Sequence, residues 1–167
     1  EMEKERGLES ALFFFFFYEV NSYFSVLGGL RLSSLLRFGP ESRNLYANPE
    51  QRDLQSVTGV RTYGPGETSF ADLQPEPRIS ARLALDKMTS LKAGYTRMVQ
   101  YLHMLSNTTA ISPTDIWMLS DAYLLPQVAD QVGAGLFRNF LDNSVETSVE
   151  VYYRNLNNII DYRGGAM

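Results

Sequence analysis

Between Arg78 and Leu85 the chain reads Arg-Ile-Ser-Ala-Arg-Leu-Ala-Leu, an alternation with a period of two. Ile79, Ala81, Leu83 and Leu85 fall on one side, and Arg78, Ser80, Arg82 and Ala84 on the other. A helix would scatter both sets around its circumference, so this spacing demands an extended strand with two unlike faces. Ser144 to Tyr153 repeats the pattern, with Val145, Thr147, Val149, Val151 and Tyr153 opposing Ser144, Glu146, Ser148, Glu150 and Tyr152. Leu91 to Tyr101 follows it except at Arg97 and Met98, which sit on each other's side, and Val132 to Phe140 is a weaker, glycine-rich version. Gly7 to Tyr18 and Tyr23 to Phe38 make two longer candidates. The second contains Gly28-Gly29, tolerable where a strand bends. The first contains five consecutive phenylalanines, Phe13 to Phe17, which no two-faced pattern explains.

The connections carry as much information as the strands. Short polar turns are expected at Glu19 to Ser22, Asp86 to Ser90 and Asp142-Asn143. Long irregular segments are expected at Gly39 to Pro77 and Ser106 to Gln131, with another beginning at Arg163. Short and long therefore alternate. Soluble sandwiches have no reason to obey that rule, whereas bacterial outer-membrane barrels place tight turns on one rim and long loops on the other. Alternation alone does not say which face looks inward, because an apolar face can meet a protein core or lipid.

Composition narrows the chemistry. No cysteine is present, which removes disulfides, thiolate nucleophiles and cysteine-ligated metal. With 15 basic and 19 acidic residues the net charge is −4, and no basic cluster gives phosphate a place to bind, so no nucleic acid is expected. Ala11 to Tyr18, the most apolar stretch, is too short for a spanning helix, but a spanning strand needs only ~9–11 residues.

Candidate functional residues are few. His103 is the only histidine, so a multi-histidine metal site is out of reach, and a structural role is expected. Asp115, Asp121 and Asp130 lack the spacing of a calcium loop. Glu146 and Glu150 share a strand face but stand about 13 Å apart at ~3.3 Å per residue, too far for a hydrolase pair. Tyr63-Gly64-Pro65-Gly66 lacks the lysine and helix of a phosphate loop and reads as a turn. Neither catalytic residues, metal ligands nor a cofactor are expected, and an enzyme is the class the residues support least. Trp117, the sole tryptophan, lies in a long segment beside Asp115 and near Tyr123, and these three are the candidates for ligand contact, with loop packing as the alternative for Trp117. Tyr95, Tyr101, Tyr152 and Tyr153 are candidates for an interfacial aromatic girdle.

Several segments carry a family resemblance: "EPRISARLAL" (Glu76 to Leu85), "SLKAGYTRMVQYLHMLSNTTAISPTDIW" (Ser90 to Trp117) and "PQVADQVGAGLFRNFLDNSVETSVEVYYRNLNNIIDYRGGA" (Pro126 to Ala166). They resemble the barrel region of TonB-dependent outer-membrane receptors of Bacteroidota, of the group with a carboxypeptidase-regulatory-like N-terminal domain. "GLESAL", "FSVLGGLRLS" and "FGPES" are similar to the preceding strands of those barrels. The resemblance implies that residues 1–167 are an all-β, antiparallel, up-and-down segment of a transmembrane barrel, about six strands of a ~22-stranded wall without its plug domain. It further implies the bacterial outer membrane, membrane lipid as surroundings, and uptake of a ligand powered by the TonB complex through the plug. A surface lipoprotein is a further candidate partner. A passive or structural barrel and a soluble β-sandwich binding module remain the alternatives. The phenylalanine run departs from the family pattern.

Overall fold

A computed structural model of the chain describes residues 5–47, 54–105, 116–141 and 144–160. These form antiparallel strands and one short 3-10 turn, Leu54–Ser56. The strands are β1 (Arg6–Glu19), β2 (Phe24–Phe38), β3 (Glu41–Tyr46), β4 (Val57–Tyr63), β5 (Thr68–Ala84), β6 (Thr89–Gln100), β7 (Leu102–Leu105), β8 (Ile116–Leu119), β9 (Gln127–Phe140) and β10 (Val145–Asn157). One six-stranded sheet, ordered β1-β2-β5-β6-β9-β10, carries the architecture, and β3-β4 and β7-β8 are separate hairpins. Each neighbour in the large sheet is the next long strand along the chain, so the path is a plain up-and-down meander. The outer edges of β1 and β10 are unpaired among the described residues.

The connections sort onto two rims. The turns after β1, β5 and β9 are short and lie at one end, and both hairpins rise from the other. Asn21 shapes the first turn by accepting the amides of Tyr23 and Phe24, and Asp86 shapes the second by accepting that of Met88. That bond, with a contact from Thr89, holds the Asp86 carboxyl below its ordinary range.

Register decides which side chains share a face. Leu30 pairs with Pro77, Ile79 with Tyr95, Tyr95 with Val132 and Val132 with Tyr153. This row continues through Leu32, Leu83, Leu91, Ala134, Leu136, Val149 and Val151, an apolar face that nothing in the described structure covers. Ile79 is 53% exposed and Val149 is 71% exposed. The opposite face carries Glu9, Arg31, Glu76, Arg78, Lys92, Gln131 and Glu150, and toward the turn rim of β1 and β2 also Phe13, Phe15, Phe17 and Leu27. It is the hollow side of the sheet, because a cavity of about 760 Å³ opens against Arg78, Ser80, Lys92, Thr96, Gln131 and Glu150. Four glycines, Gly29, Gly94, Gly133 and Gly135, deepen that hollow.

Two features depart from the expected outline. β5 begins at Thr68, ten residues before the alternation is visible, because Pro75 and Pro77 punctuate it. Proline has no amide to donate, so it is confined to positions where a strand lacks a neighbour on that side. Pairing of β5 with β6 accordingly stops at Arg78 and Thr96, while β2 accompanies β5 along its whole length. The segments expected to be irregular also contain β3, β4 and β8, and β7 lies just before the second of them; these hairpin strands of four to seven residues are too short to show a period.

The phenylalanine run finds a local explanation in the pairing. Phe15 stands opposite Gly29, and Phe16 opposite Gly28. A Cβ on Gly28 would lie 2.4 Å from the Phe16 ring, so that ring occupies the space the glycine leaves, as aromatics do beside strand glycines. Arg97, out of place by alternation, lies on the apolar face with its guanidinium 3.4 Å from Asp130, which also accepts the Tyr95 hydroxyl.

Candidate functional site

The densest packing lies at the loop rim, on the hollow side. Leu35, Tyr63, Tyr101 and Val128 are the buried hydrophobic residues among those described, and Ser33, Arg37, Ser69, Glu76, Thr89, His103 and Ser120 are the buried polar ones. Most of these gather where the two hairpins meet β2.

Alternation along β2 points Ser33, Leu35 and Arg37 into the hollow. Arg37 is the hub. Its guanidinium contacts Glu5 before β1 at 3.0 Å, Glu41 at the start of β3 at 2.7 Å and Asp121 beyond β8 at 3.7 Å. It also donates to the Leu119 carbonyl, and the Leu119 amide donates to Glu5. Three segments, two of them distant in sequence and one four residues on, thus converge on one planar cation, which a guanidinium with five donors suits and an ammonium would not. Glu41 is shared with Arg43, which donates to the Ser69 carbonyl and lies 5.4 Å from the Tyr63 ring centroid. Arg61 lies 5.1 Å from that same centroid, and this fixes the base of the β3-β4 hairpin.

Tyr101, just past β6, reaches back across the hollow to donate its hydroxyl to the Ser33 carbonyl. Burial, then the nearby Asp72 and Glu76 carboxylates, push this phenol up to about 12. The Tyr101 carbonyl in turn accepts the Ser120 hydroxyl and amide. With its single proton committed there, Ser120 Oγ accepts from His103 Nε2 at 2.8 Å. That assigns the neutral tautomer with a bare Nδ1, and no partner reaches Nδ1. Burial lowers the imidazole pKa, consistent with a structural histidine.

Of the three residues expected to contact a ligand, Trp117 and Tyr123 lie in different surroundings. Trp117 lies on β8 opposite Met104, 58% exposed beside Leu102 and Met104. Tyr123 instead packs edge-on against Tyr46 of β3, ring centroids 5.5 Å apart, with its amide held by Asp121 Oδ1. Asp115 lies outside the described residues, and neither aromatic lines the cavity. The aspartates weighed for calcium separate too, since Asp121 serves Arg37 while Asp130 serves Tyr95 and Arg97 on the opposite face. Of the girdle candidates, Tyr95 and Tyr153 stand on the apolar face, Tyr152 lines the hollow and Tyr101 is buried. Sequence reading passed over Arg37, Glu41 and Tyr46; the one available signal was an arginine on the polar face at the end of β2, beside the longest connection.

Lower on the hollow face an ion ladder crosses three strands. Arg31 stands 4.0 Å from Glu9 and 3.7 Å from Glu76, and Arg78 lies 4.0 Å from Glu76. The arrangement offers charge, hydroxyls and amides to solutes in the hollow, and its one hydroxyl–imidazole contact among the described residues, Ser120 with His103, has the hydroxyl proton already given to the Tyr101 carbonyl. Compared with protein-family models, curated proteins and solved structures, the chain matches none.

Proposed function

We propose that this chain is a section of the wall of an outer-membrane barrel of the TonB-dependent receptor kind, contributing lumen surface and two external hairpins to active ligand uptake. The observation that carries the reading is the bare outer face. Burying one such side chain is worth ~1.5–3 kcal/mol, and soluble monomers seldom expose apolar patches beyond a few hundred Å². A face carrying Leu30, Leu32, Ile79, Leu91, Val132, Leu136, Val149 and Val151 needs an apolar phase or a second layer against it. The cavity on the opposite, polar face and the two-rim rule favour lipid.

The polar limits of that face support the same reading. Near the turn rim Arg138 lies over Phe140, and toward the loop rim stand Asp130, Arg97 and Asn155. From Arg138 to Asp130 is about 26 Å along the strand at ~3.3 Å per residue, or ~20 Å of height at the usual tilt, near the ~25 Å apolar band of such barrels. On β1 and β2 the corresponding polar pair, Ser10 with Ser34, sits higher relative to the pairing register. A boundary that climbs from strand to strand is what tilted strands require.

Replacing Ala134 with arginine puts a charge at the middle of the outer face, and replacing Ser148, which is exposed on the hollow side of β10 between Glu146 and Glu150, puts the same charge in the hollow. In the full-length protein Ala134→Arg is expected to cost ~2–4 kcal/mol in folded barrel and Ser148→Arg close to nothing. Heat-modifiable electrophoresis of outer membranes reads the difference, and equal assembly of the two variants would remove the lipid-facing assignment. The uptake half of the reading expects the same gene to encode a plug domain; a gene without one leaves a passive barrel.

A further inference from the structure

We infer that β7-β8 is a strap folded inward across the mouth of the hollow, held shut by Arg37, so that it limits which solutes reach the polar face below. This rests on the barrel reading above and adds a gate to it.

The strap arises between β6 and β9, yet it packs on β1 and β2, with β5 lying between. Three contacts fix its position. Leu119 reaches so close to Gly7 of β1 that a Cβ there would lie 2.8 Å from its side chain. Its carbonyl and amide bond Arg37 and Glu5, and Tyr101 at the strap's root bonds the backbone of Ser33. Burial marks its edge: on β2 the hollow-side Ser33 and Leu35 are each 1% exposed, whereas Leu27, lower on the same face, is 46% exposed. Away from the strap burial on this face is local, as at Glu76, which is 1% exposed beside Arg31 and Arg78.

Departure from the sheet is built into the sequence. Pro75 and Pro77 end the β5-β6 ladder, so the chain beyond Thr96 loses its β5 neighbour and can lean over the hollow. The closure is mostly polar: one guanidinium, three carboxylates and two hydroxyls. Such bonds exchange with water at modest net cost, whereas an apolar seal of this area would not open readily. Tyr46 against Tyr123 ties the strap to the β3-β4 hairpin, so the two hairpins would move together.

The absence of cysteine supplies the test. Ser33→Cys puts a thiol beneath the strap and breaks no side-chain bond, because Ser33 Oγ has no partner. Val60→Cys, on the exposed face of β4, reports whether the hairpins face the medium. Both are made in the full-length protein, with any cysteine elsewhere in it replaced, and labelled on intact cells with a membrane-impermeant maleimide. Val60→Cys is expected to react fast and Ser33→Cys slowly. Arg37→Met should raise the Ser33→Cys rate about tenfold, the factor that ~1.4 kcal/mol of lost closure gives, and leave Val60→Cys unchanged. Asp121→Asn is the companion variant should Arg37→Met fail to assemble. It keeps an oxygen for the Tyr123 and Leu124 amides and removes the charge facing Arg37. A Ser33→Cys rate that neither variant moves overturns the strap. An unreactive Val60→Cys in intact cells overturns the barrel's orientation instead.

Discussion

Arg37 and His103 illustrate two ways in which a single buried polar residue holds a rim together. Arg37 meets carboxylates from three segments and is itself only 10% exposed, so removing it strands charges that water reaches poorly. Arg37→Met is expected to cost about 3 kcal/mol, the low end for breaking a buried pair because the partners keep some solvent contact. A lower urea midpoint at unchanged slope measures it. His103 works in the opposite sense, since it must stay neutral. Its folded-state pKa lies below the ordinary value of about 6.5, so the unfolded chain takes up a proton that the folded chain refuses. Stability from this residue is therefore complete above about pH 6.5 and is lost as pH falls toward the depressed pKa. Melting temperatures across that range should show the slope in the parent protein and not in His103→Gln. That a lone histidine would be structural was legible from its count alone. Arg37's role was not, because Glu5, Leu119 and Asp121 are remote in the chain and only the fold brings them to it; Glu41, four residues on, is its one local partner.

Among the elements, the long strands were the readable part, and for a plain reason. Alternation over eight or more residues, as in Arg78–Leu85 and Ser144–Tyr153, has no competing interpretation. Where proline, glycine or brevity interrupts the period, sequence reading stopped short: half of β5 was assigned to a loop, and β3, β4, β7 and β8 went unseen. The glycines show how finely the pleated surface is fitted. A Cβ on Gly94 would stand 3.1 Å from the Ile79 carbonyl oxygen, backbone that cannot step aside, whereas on Gly133 its nearest neighbour is 3.5 Å away. Gly133→Ala should be neutral or stabilising by ~0.5–1 kcal/mol, through lost freedom of the unfolded chain. Gly94→Ala should instead destabilise by about 1 kcal/mol, the lower range for overpacking. Paired denaturation curves decide it, and equal effects would show that the β5-β6 ladder yields more than its geometry suggests. Phe13–Phe17 belongs at this scale too: Phe15 and Phe16 become intelligible across two strands, with Gly29 and Gly28 opposite, and nothing in the structure explains the other three.

For the molecule as a whole, the division into a turn rim and a loop rim was legible from connection lengths, and so was the existence of one polar and one apolar face. Their sense of curvature was not, because alternation is symmetric with respect to inside and outside. The inward lean of β7-β8 was equally invisible, depending as it does on prolines in one strand and an arginine in another. The segregation of connections has one more effect. Adding residues between β3 and β4, or between β7 and β8, lengthens a hairpin tip, and closure entropy charges only ~0.6 kcal/mol for each doubling of a loop. At Glu19–Phe24, Ala84–Thr89 or Phe140–Val145 the same insertion would shift the pairing of two long strands, and a slip of one residue exchanges their faces. Such a sheet can diversify what it presents at one end over evolutionary time while its other end stays constant in length.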